Sequence, residues 1–355
     1  MKSFWAKLPK PFFCLAPMAD VTDAAFRQII AKYGRSTRTA EWRGGPDVMW
    51  TEFVSADGLC HPTGREKLLV DLLYSEAERP IVAQLFTAHP DKMAVAARLI
   101  QELGFDGLDI NMGCPDRTVE KQGAGAALMK NPKLAQEIIY AARAGAPKLP
   151  VSVKTRLGYS RDELGTWLPV LLETNLAAIT IHARTRKEMS KVPAHWEALT
   201  RAVRIRDNLK SKTLIIGNGD VANLAEARGR AEETGADGIM LGRAIFGNPW
   251  LFNENQKAIA CPRPARGSRD QSNLEIRLRV LIEHTKLFEK LLGKVKTFAI
   301  MKKHFKAYAV GWNGANELRQ ELMGAPNGAT VEKIVDKYLA NMLHSQPEVK
   351  DDLGE

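Results

Sequence analysis

Between residues 12 and 253 short apolar runs alternate with longer Ala- and Leu-rich stretches whose apolar positions recur at helical spacing. The runs at 12–18, 48–54, 81–86, 107–112, 151–155, 178–183, 213–217 and 238–241 predict eight strands. Most are apolar throughout, as expected of parallel strands covered on both faces. Eight strand–helix units in about 240 residues match the size of a (β/α)8 TIM barrel. A doubly wound open sheet uses the same units. The even spacing and the lack of an early Gly-x-Gly-x-x-Gly favour the barrel, which is assigned to residues 1–255.

The pattern breaks at 256–272, where Pro262, Pro264, Gly267 and three arginines gather, and a linker is expected there. Beyond it Leu274, Leu278, Leu281, Ile282, Leu287 and Phe288 recur at helical spacing, and further apolar positions follow at 298–305 and 331–343. Residues 273–345 are therefore read as a small C-terminal all-helical domain. Residues 346–355 read as a frayed acidic tail.

Charge adds a partner class. The chain of 355 residues carries a formal net charge of +10, which suits a polyanionic partner, either nucleic acid or an acidic membrane surface, or, equally, a merely basic soluble protein. From Arg263 to Gln320 there are thirteen Lys or Arg against five Asp or Glu, so the surplus concentrates in the helical segment. Cys14, Cys60, Cys114 and Cys261 are widely spaced, with no Cys-x-x-Cys pair. That argues against a metal site and a disulfide framework and suits a reducing compartment. No leader pattern is seen at the first residues, and no stretch approaches the roughly 18–20 apolar residues of a membrane span. A cytoplasmic, soluble monomer without a metal is expected.

Polar residues fall where a barrel would use them. Asp20 follows the first run, Gln84 lies on the third, and Asn111 and Cys114 follow the fourth. Lys154 and Arg156, His182 and Arg184, Asn218 and Asp220, then Gly242 and Arg243 close the later ones. The C-terminal ends of barrel strands share one mouth, where active sites sit. Asn218-Gly219-Asp220 and Gly242-Arg243 resemble the phosphate cradle that barrels build after strands seven and eight. By themselves they fit a flavin mononucleotide or a sugar phosphate. Lys154 suits either charge stabilisation beside a flavin or a Schiff base with a carbonyl substrate. Gln84 suits the polar edge of a flat ring, and Pro17 and Met18 offer it an apolar surface. Cys14 reads as core. Cys114 differs, lying between Gly113 and Pro115 just past a strand end, before a Gly-rich segment able to form a lid. Such a thiol is a nucleophile or a general acid, and no histidine lies in its motif to favour the first.

Several motifs in order resemble the tRNA-dihydrouridine synthases, nearest their B-type bacterial branch. They are Ala16-Pro17-Met18-Ala19-Asp20-Val21-Thr22-Asp23, Asn111-Met112-Gly113-Cys114-Pro115 and Lys121-x-Gly-Ala-Gly-Ala-Ala-Leu. Val153-Lys154-Thr155-Arg156-Leu157-Gly158, Ile181-His182-Ala183-Arg184-Thr185-Arg186, Gly217-Asn218-Gly219-Asp220 and Gly242-Arg243-x₄-Asn248-Pro249-Trp250 continue the series, and Met301-Lys302-Lys303-His304-Phe305 extends it into the helices.

The resemblance implies an FMN-dependent enzyme that uses NADPH to reduce uridines in tRNA to 5,6-dihydrouridine. It implies hydride delivery to C6 and a proton from Cys114 to C5, with Asn111 beside the reacting groups. By the same resemblance Pro17, Met18, Gln84, Lys154 and His182 meet the flavin ring and ribityl region. Asn218, Gly219, Asp220, Gly242 and Arg243 surround its phosphate end. Arg156 and Arg184 face the substrate, and Lys302, Lys303, His304 and Lys306 belong to a tRNA-binding helical domain.

One departure is the segment 35–44, longer than the family usually carries, with three arginines and Trp42. It reads as a surface insertion or as an added RNA contact. The rival readings are a dehydrogenase acting on a free pyrimidine, an aldolase-type barrel using Lys154, and a non-catalytic RNA-binding protein.

Overall fold

The computed structural model describes residues 3–34, 45–253 and 271–344. The segment at 35–44, the linker at 256–270 and the acidic tail therefore lie outside the described residues. Gln271 and Ser272, assigned to the linker, instead begin a helix, Gln271–Leu292.

Eight parallel strands form one sheet in the order β1-β8-β7-β6-β5-β4-β3-β2. They are β1 Phe12–Leu15, β2 Met49–Ser55, β3 Ile81–Phe86, β4 Gly107–Asn111, β5 Val151–Arg156, β6 Ala178–His182, β7 Leu214–Asn218 and β8 Gly238–Leu241. A parallel bridge between Cys14 and Val48 joins the two ends of the sheet, and the Leu15 amide donates to the Val48 carbonyl at 3.2 Å. The sheet thus closes into the expected (β/α)8 TIM barrel.

The strand ends depart from the apolar runs for two reasons. β5 and β7 extend to Arg156 and Asn218, which keep their ladder pairing with His182. Their side chains enter the barrel mouth, so polarity does not end the strand. β1 stops short of residue 18 because Pro17 has no amide to donate, and the Met18 amide turns to Thr22 Oγ1 at 2.9 Å.

Inward side chains alternate along each strand. Near the N-terminal ends they are apolar: Phe12, Trp50, Val82 and Ile216 cluster with Trp5 from the turn Phe4–Lys7. Trp5 lies 5.9 Å from Phe12 and 6.1 Å from Trp50 between ring centroids. Gly238 stands opposite Phe12 in the ladder, and a Cβ there would sit 2.4 Å from the Phe12 ring. The missing side chain is what lets the ring fill the barrel floor. Outside the barrel, helix Ala24–Tyr33 is capped by Asp23, which accepts from the Phe26 amide at 2.9 Å. In the same helix the fully buried Arg27 pairs with buried Glu78 at 2.6 Å and donates to the Thr22 carbonyl at 2.6 Å.

The chain divides into two compact units, Met1–Ile245 with Pro249–Asn255, and Phe246–Asn248 with Gln256–Glu355. In the second, helices Gln271–Leu292, Met301–Tyr308, Ala315–Gly324 and Gly328–His344 pack around Leu278, Leu281, Phe288, Phe305, Leu322 and Val335, all buried. Lys302, Lys303 and Lys306 are exposed.

His304 is not. It was expected with them on an RNA-facing surface, yet its side chain is 0% exposed, with His284 4.6 Å away between ring centroids. Burial pushes its pKa down to about 3, so it is a neutral core residue out of reach of phosphates. Among the described residues no helix is long and apolar enough to cross a membrane.

Gly238→Ala should lower stability by about 1–3 kcal/mol through overpacking. Adding Phe12→Leu should restore part of the loss. Urea unfolding midpoints check both, and an unchanged midpoint for Gly238→Ala would remove the Phe12 ring as the floor's filler.

Candidate active site

The polar strand ends converge on a cavity of about 260 Å³ at the C-terminal mouth of the barrel. Pro17, Met18, Gln84, Asn111, Cys114, Lys154, Arg156, His182, Arg184, Asn218, Gly219, Asp220, Gly242 and Arg243 all line it. Lys302, Lys303, His304 and Lys306 belong to the second unit and are not part of this lining. Phe53, Ser190 and Val221 also line the cavity and were not singled out from the sequence.

One wall is cationic. Lys154 donates to Asn218 Oδ1 at 3.1 Å, and the Asn218 amide donates to the Met240 carbonyl at 2.8 Å. Burial, with Arg156 adding to it, brings the Lys154 pKa down to about 8. Burial also lowers Arg156, to about 10. Arg156 is tied to the protein: Nε donates to the Gly113 carbonyl at 2.7 Å, and NH1 reaches the carbonyls of Thr185 and Met189 at 3.2 and 3.1 Å. Arg184 donates to the Val192 carbonyl at 2.6 Å and pairs with Asp220. Its NH1 also lies 3.0 Å from His182 Nε2. A guanidinium only donates, so Nε2 accepts and the ring proton sits on Nδ1. Burial, then the nearby Lys154, Arg156, Arg184 and Arg243, holds His182 neutral far below the usual histidine range.

Asp220 is the one carboxylate among the lining residues. It pairs with both Arg184 and Arg243 and accepts the Ala194 amide at 3.1 Å. The backbone turns sharply to place it, with φ of 139° at Gly219 and 49° at Asp220, a conformation that costs energy at a non-glycine residue. The exposed half of Arg243 remains available to a ligand, its side chain being 65% exposed.

The same lining carries the thiol. Cys114 is half-buried and packs with Phe53, Phe86, Val119 and Ala124. The following segment is folded down in the structure. Asp116 caps the short helix Arg117–Lys121 by accepting from the Thr118 amide at 2.8 Å, and the Ala126 amide donates to the Cys114 carbonyl at 3.0 Å. Glu120 pairs with Arg186 at 2.7 Å across to the loop after β6. Burial pushes the Cys114 thiol above the usual range, and Arg156 opposes that rise.

Gln84 and Asn111 lead to a further buried residue that was not among those expected at the site. Asp109 on β4 is 1% exposed and accepts from Gln84 Nε2 at 2.7 Å and Ser152 Oγ at 2.5 Å. Burial raises its pKa to about 6, against the pull of those two donors and Lys154. Its signal was available: Asp109 and Asn111 are two apart on an otherwise apolar strand, which puts both inside the barrel.

The dihydrouridine synthase (Dus) family model matches residues 14–342. The chain belongs to the dihydrouridine synthase family. A probable tRNA-dihydrouridine synthase of Staphylococcus aureus (strain COL) is 39% identical, over 96% of this chain and 97% of its own length. A probable tRNA-dihydrouridine synthase 2 of Bacillus subtilis (strain 168) is also 39% identical, over 95% and 97%. Among solved structures, a histamine dehydrogenase from Rhizobium sp. 4-9 shares 12% identity over 76% of this chain and 48% of that one, at a TM-score of 0.49, too distant to bear on chemistry. Each motif that resembles the family in sequence contributes residues to the lining of one cavity, apart from Lys121–Leu128 and the helical Met301–Phe305 stretch. Among the described residues, no cluster of three or more His, Cys, Asp or Glu could hold a metal ion.

A raised thiol pKa has a definite sign. Only the thiolate is alkylated, so iodoacetamide labelling of Cys114 should be slower at pH 7.5 than for a free cysteine. Its rate should inflect above pH 9, the ordinary value. Peptide mass spectrometry across pH reads the rate, and an inflection below 9 would contradict the burial argument.

Proposed function

We propose that this dihydrouridine synthase reduces the C5=C6 bond of uridines in tRNA to 5,6-dihydrouridine, with Cys114 as the proton donor, flavin mononucleotide as cofactor and NADPH as reductant. The observation that carries the reading is a half-buried thiol sharing one lining with a cationic wall that contains one already paired carboxylate. Such a wall is built for an anion. The residues fit a flavin phosphate: Gly219 lets the backbone turn beside Asp220, a Cβ at Gly242 would meet only Ala16 and Met18 at 3.6 and 3.8 Å, and the Arg243 side chain is exposed. In this reading Asn218, Gly219, Asp220, Gly242 and Arg243 hold the phosphate and ribityl end. Pro17, Met18, Gln84, Lys154 and His182 hold the ring, which supplies hydride to C6 when bound.

The chain's own groups do the rest. Cys114 keeps its proton at neutral pH because burial disfavours the thiolate, and it delivers that proton to C5. The thiolate left behind faces the guanidinium of Arg156, whose charge opposes the burial penalty. Lys154, cationic below about pH 8, offsets negative charge gathering in the cavity. Neutral His182 adds a hydrogen-bonding group without adding another charge. Arg156 and Arg184 are proposed to shape the substrate side, acting from positions fixed by backbone carbonyls.

A uracil reaches such a cavity only after leaving its stack, which costs a few kcal/mol. Phosphate contacts must offset that cost. We assign them to residues 273–345, with Lys302, Lys303 and Lys306 as the contact cations and residues 1–255 as the catalytic part.

Cys114→Ala should lower dihydrouridine formation by about 10²–10⁴-fold, the usual worth of a general acid, while NADPH oxidation by the loaded enzyme persists. Mass spectrometry of tRNA after incubation reads the product. Unaltered dihydrouridine formation by the variant removes Cys114 as the acid, and none from the unaltered enzyme sinks the reaction itself. The triple variant Lys302→Glu, Lys303→Glu and Lys306→Glu should raise KM for tRNA about tenfold or more and flatten its salt dependence, since each lost phosphate contact reduces the slope. An unchanged salt slope would move the RNA surface elsewhere.

A further inference from the structure

We propose that Asp109 is a positioning residue for Cys114, acting through a one-way relay of two side-chain amides. This rests on the reading of Cys114 as the acid.

The relay begins at a carboxylate and ends at two backbone amides. Gln84 Nε2 donates to Asp109 Oδ2 at 2.7 Å. Asn111 Nδ2 donates to Gln84 Oε1 at 3.0 Å. Asn111 Oδ1 then accepts the amides of Gly113 and Cys114, at 3.1 and 2.9 Å. Gln84, Asp109 and Asn111 are all at least nine-tenths buried, so water is a poor substitute for any of them.

Both ends of this chain have fixed polarity. Backbone N–H groups only donate, and an ionised carboxylate only accepts. With the ends fixed, one orientation of Gln84 and one of Asn111 satisfies every group. Turning Gln84 over would set its oxygen against the carboxylate and its NH2 against the NH2 of Asn111. Turning Asn111 over would set its NH2 against the Gly113 and Cys114 amides. The orientation that receives the Cys114 loop is therefore fixed from both ends, and Asp109 is the end held within the sheet.

The strands make the relay rigid. Gln84 pairs in register with Asp109, and Asp109 with Ser152. Ser152 Oγ donates to the other carboxylate oxygen at 2.5 Å, which holds Asp109 from its second side. Asp109 is not among the residues lining the cavity, so it reaches the Cys114 loop through Gln84 and Asn111, while its charge also acts on Lys154.

The test uses the full-length protein and the iodoacetamide labelling rate of Cys114, a readout independent of turnover. Asp109→Leu removes the acceptor and should raise the rate at least about fivefold by releasing the loop. It should also lower kcat about tenfold or more with KM for tRNA within about twofold, the split expected of lost positioning. Asp109→Asn still offers Gln84 an acceptor and can turn its NH2 to Ser152 Oγ, so labelling should stay within about twofold of the unaltered protein. If Asp109→Leu does not fold, Gln84→Leu cuts the same relay one step later and should give the same rise in labelling. Labelling unchanged in the leucine variant that folds overturns the relay, as does Asp109→Asn labelling as fast as the leucine variant. If labelling rises but Cys114→Ala still forms dihydrouridine, the relay stands and the acid assignment falls.

Discussion

Like charges crowded together repel, and the mouth of this barrel contains four of them, three buried or partly buried and one, Arg243, reaching solvent. Lys154, Arg156, Arg184 and Arg243 share one lining with a single carboxylate, Asp220. The depressed pKa values of Lys154 and Arg156 and the neutrality of His182 follow from burial first and from that crowding second. The same crowding makes anchoring matter: Arg156 is held by three backbone carbonyls, and Arg184 by one carbonyl, His182 and Asp220. A guanidinium left loose in such a space would swing away from its neighbours. Fixed to the backbone, it keeps its charge where an anion is to be met.

The barrel supplies the other half of the design by separating its two ends. Alternation along parallel strands turns every second side chain inward, and the type of inward residue changes along the axis. The floor is aromatic and aliphatic, the middle holds Gln84, Asp109 and Ser152, and the mouth holds the thiol and the cations. The middle layer lets a rigid sheet govern a loop. Its hydrogen bonds run from strand to strand in register and emerge at the Asn111 side chain, where the Cys114 loop begins.

The eight strands were legible because buried parallel strands are apolar on both faces, and only their ends were misplaced, where polar residues face the mouth or a proline intervenes. The cavity residues were legible because strand ends in a barrel meet, whatever lies between them in sequence. Which partners they would find was not. Arg156 is held by carbonyls 29 and 33 residues further along the chain, at Thr185 and Met189, contacts that depend on loop paths. His304 shows the opposite failure. Met301, His304, Phe305 and Tyr308 follow the i, i+3, i+4, i+7 spacing of a buried helix face. Its neighbours Lys302 and Lys303 drew it into a basic motif, when its phase on the helix already placed it inside.

The Phe12 ring, seated in the space that Gly238 leaves empty, has a consequence at the far end of the axis. A chamber sealed at the bottom has one door. Whatever occupies the cavity comes and goes through the mouth alone, and that one-sided access is set by a glycine that forms no part of the lining.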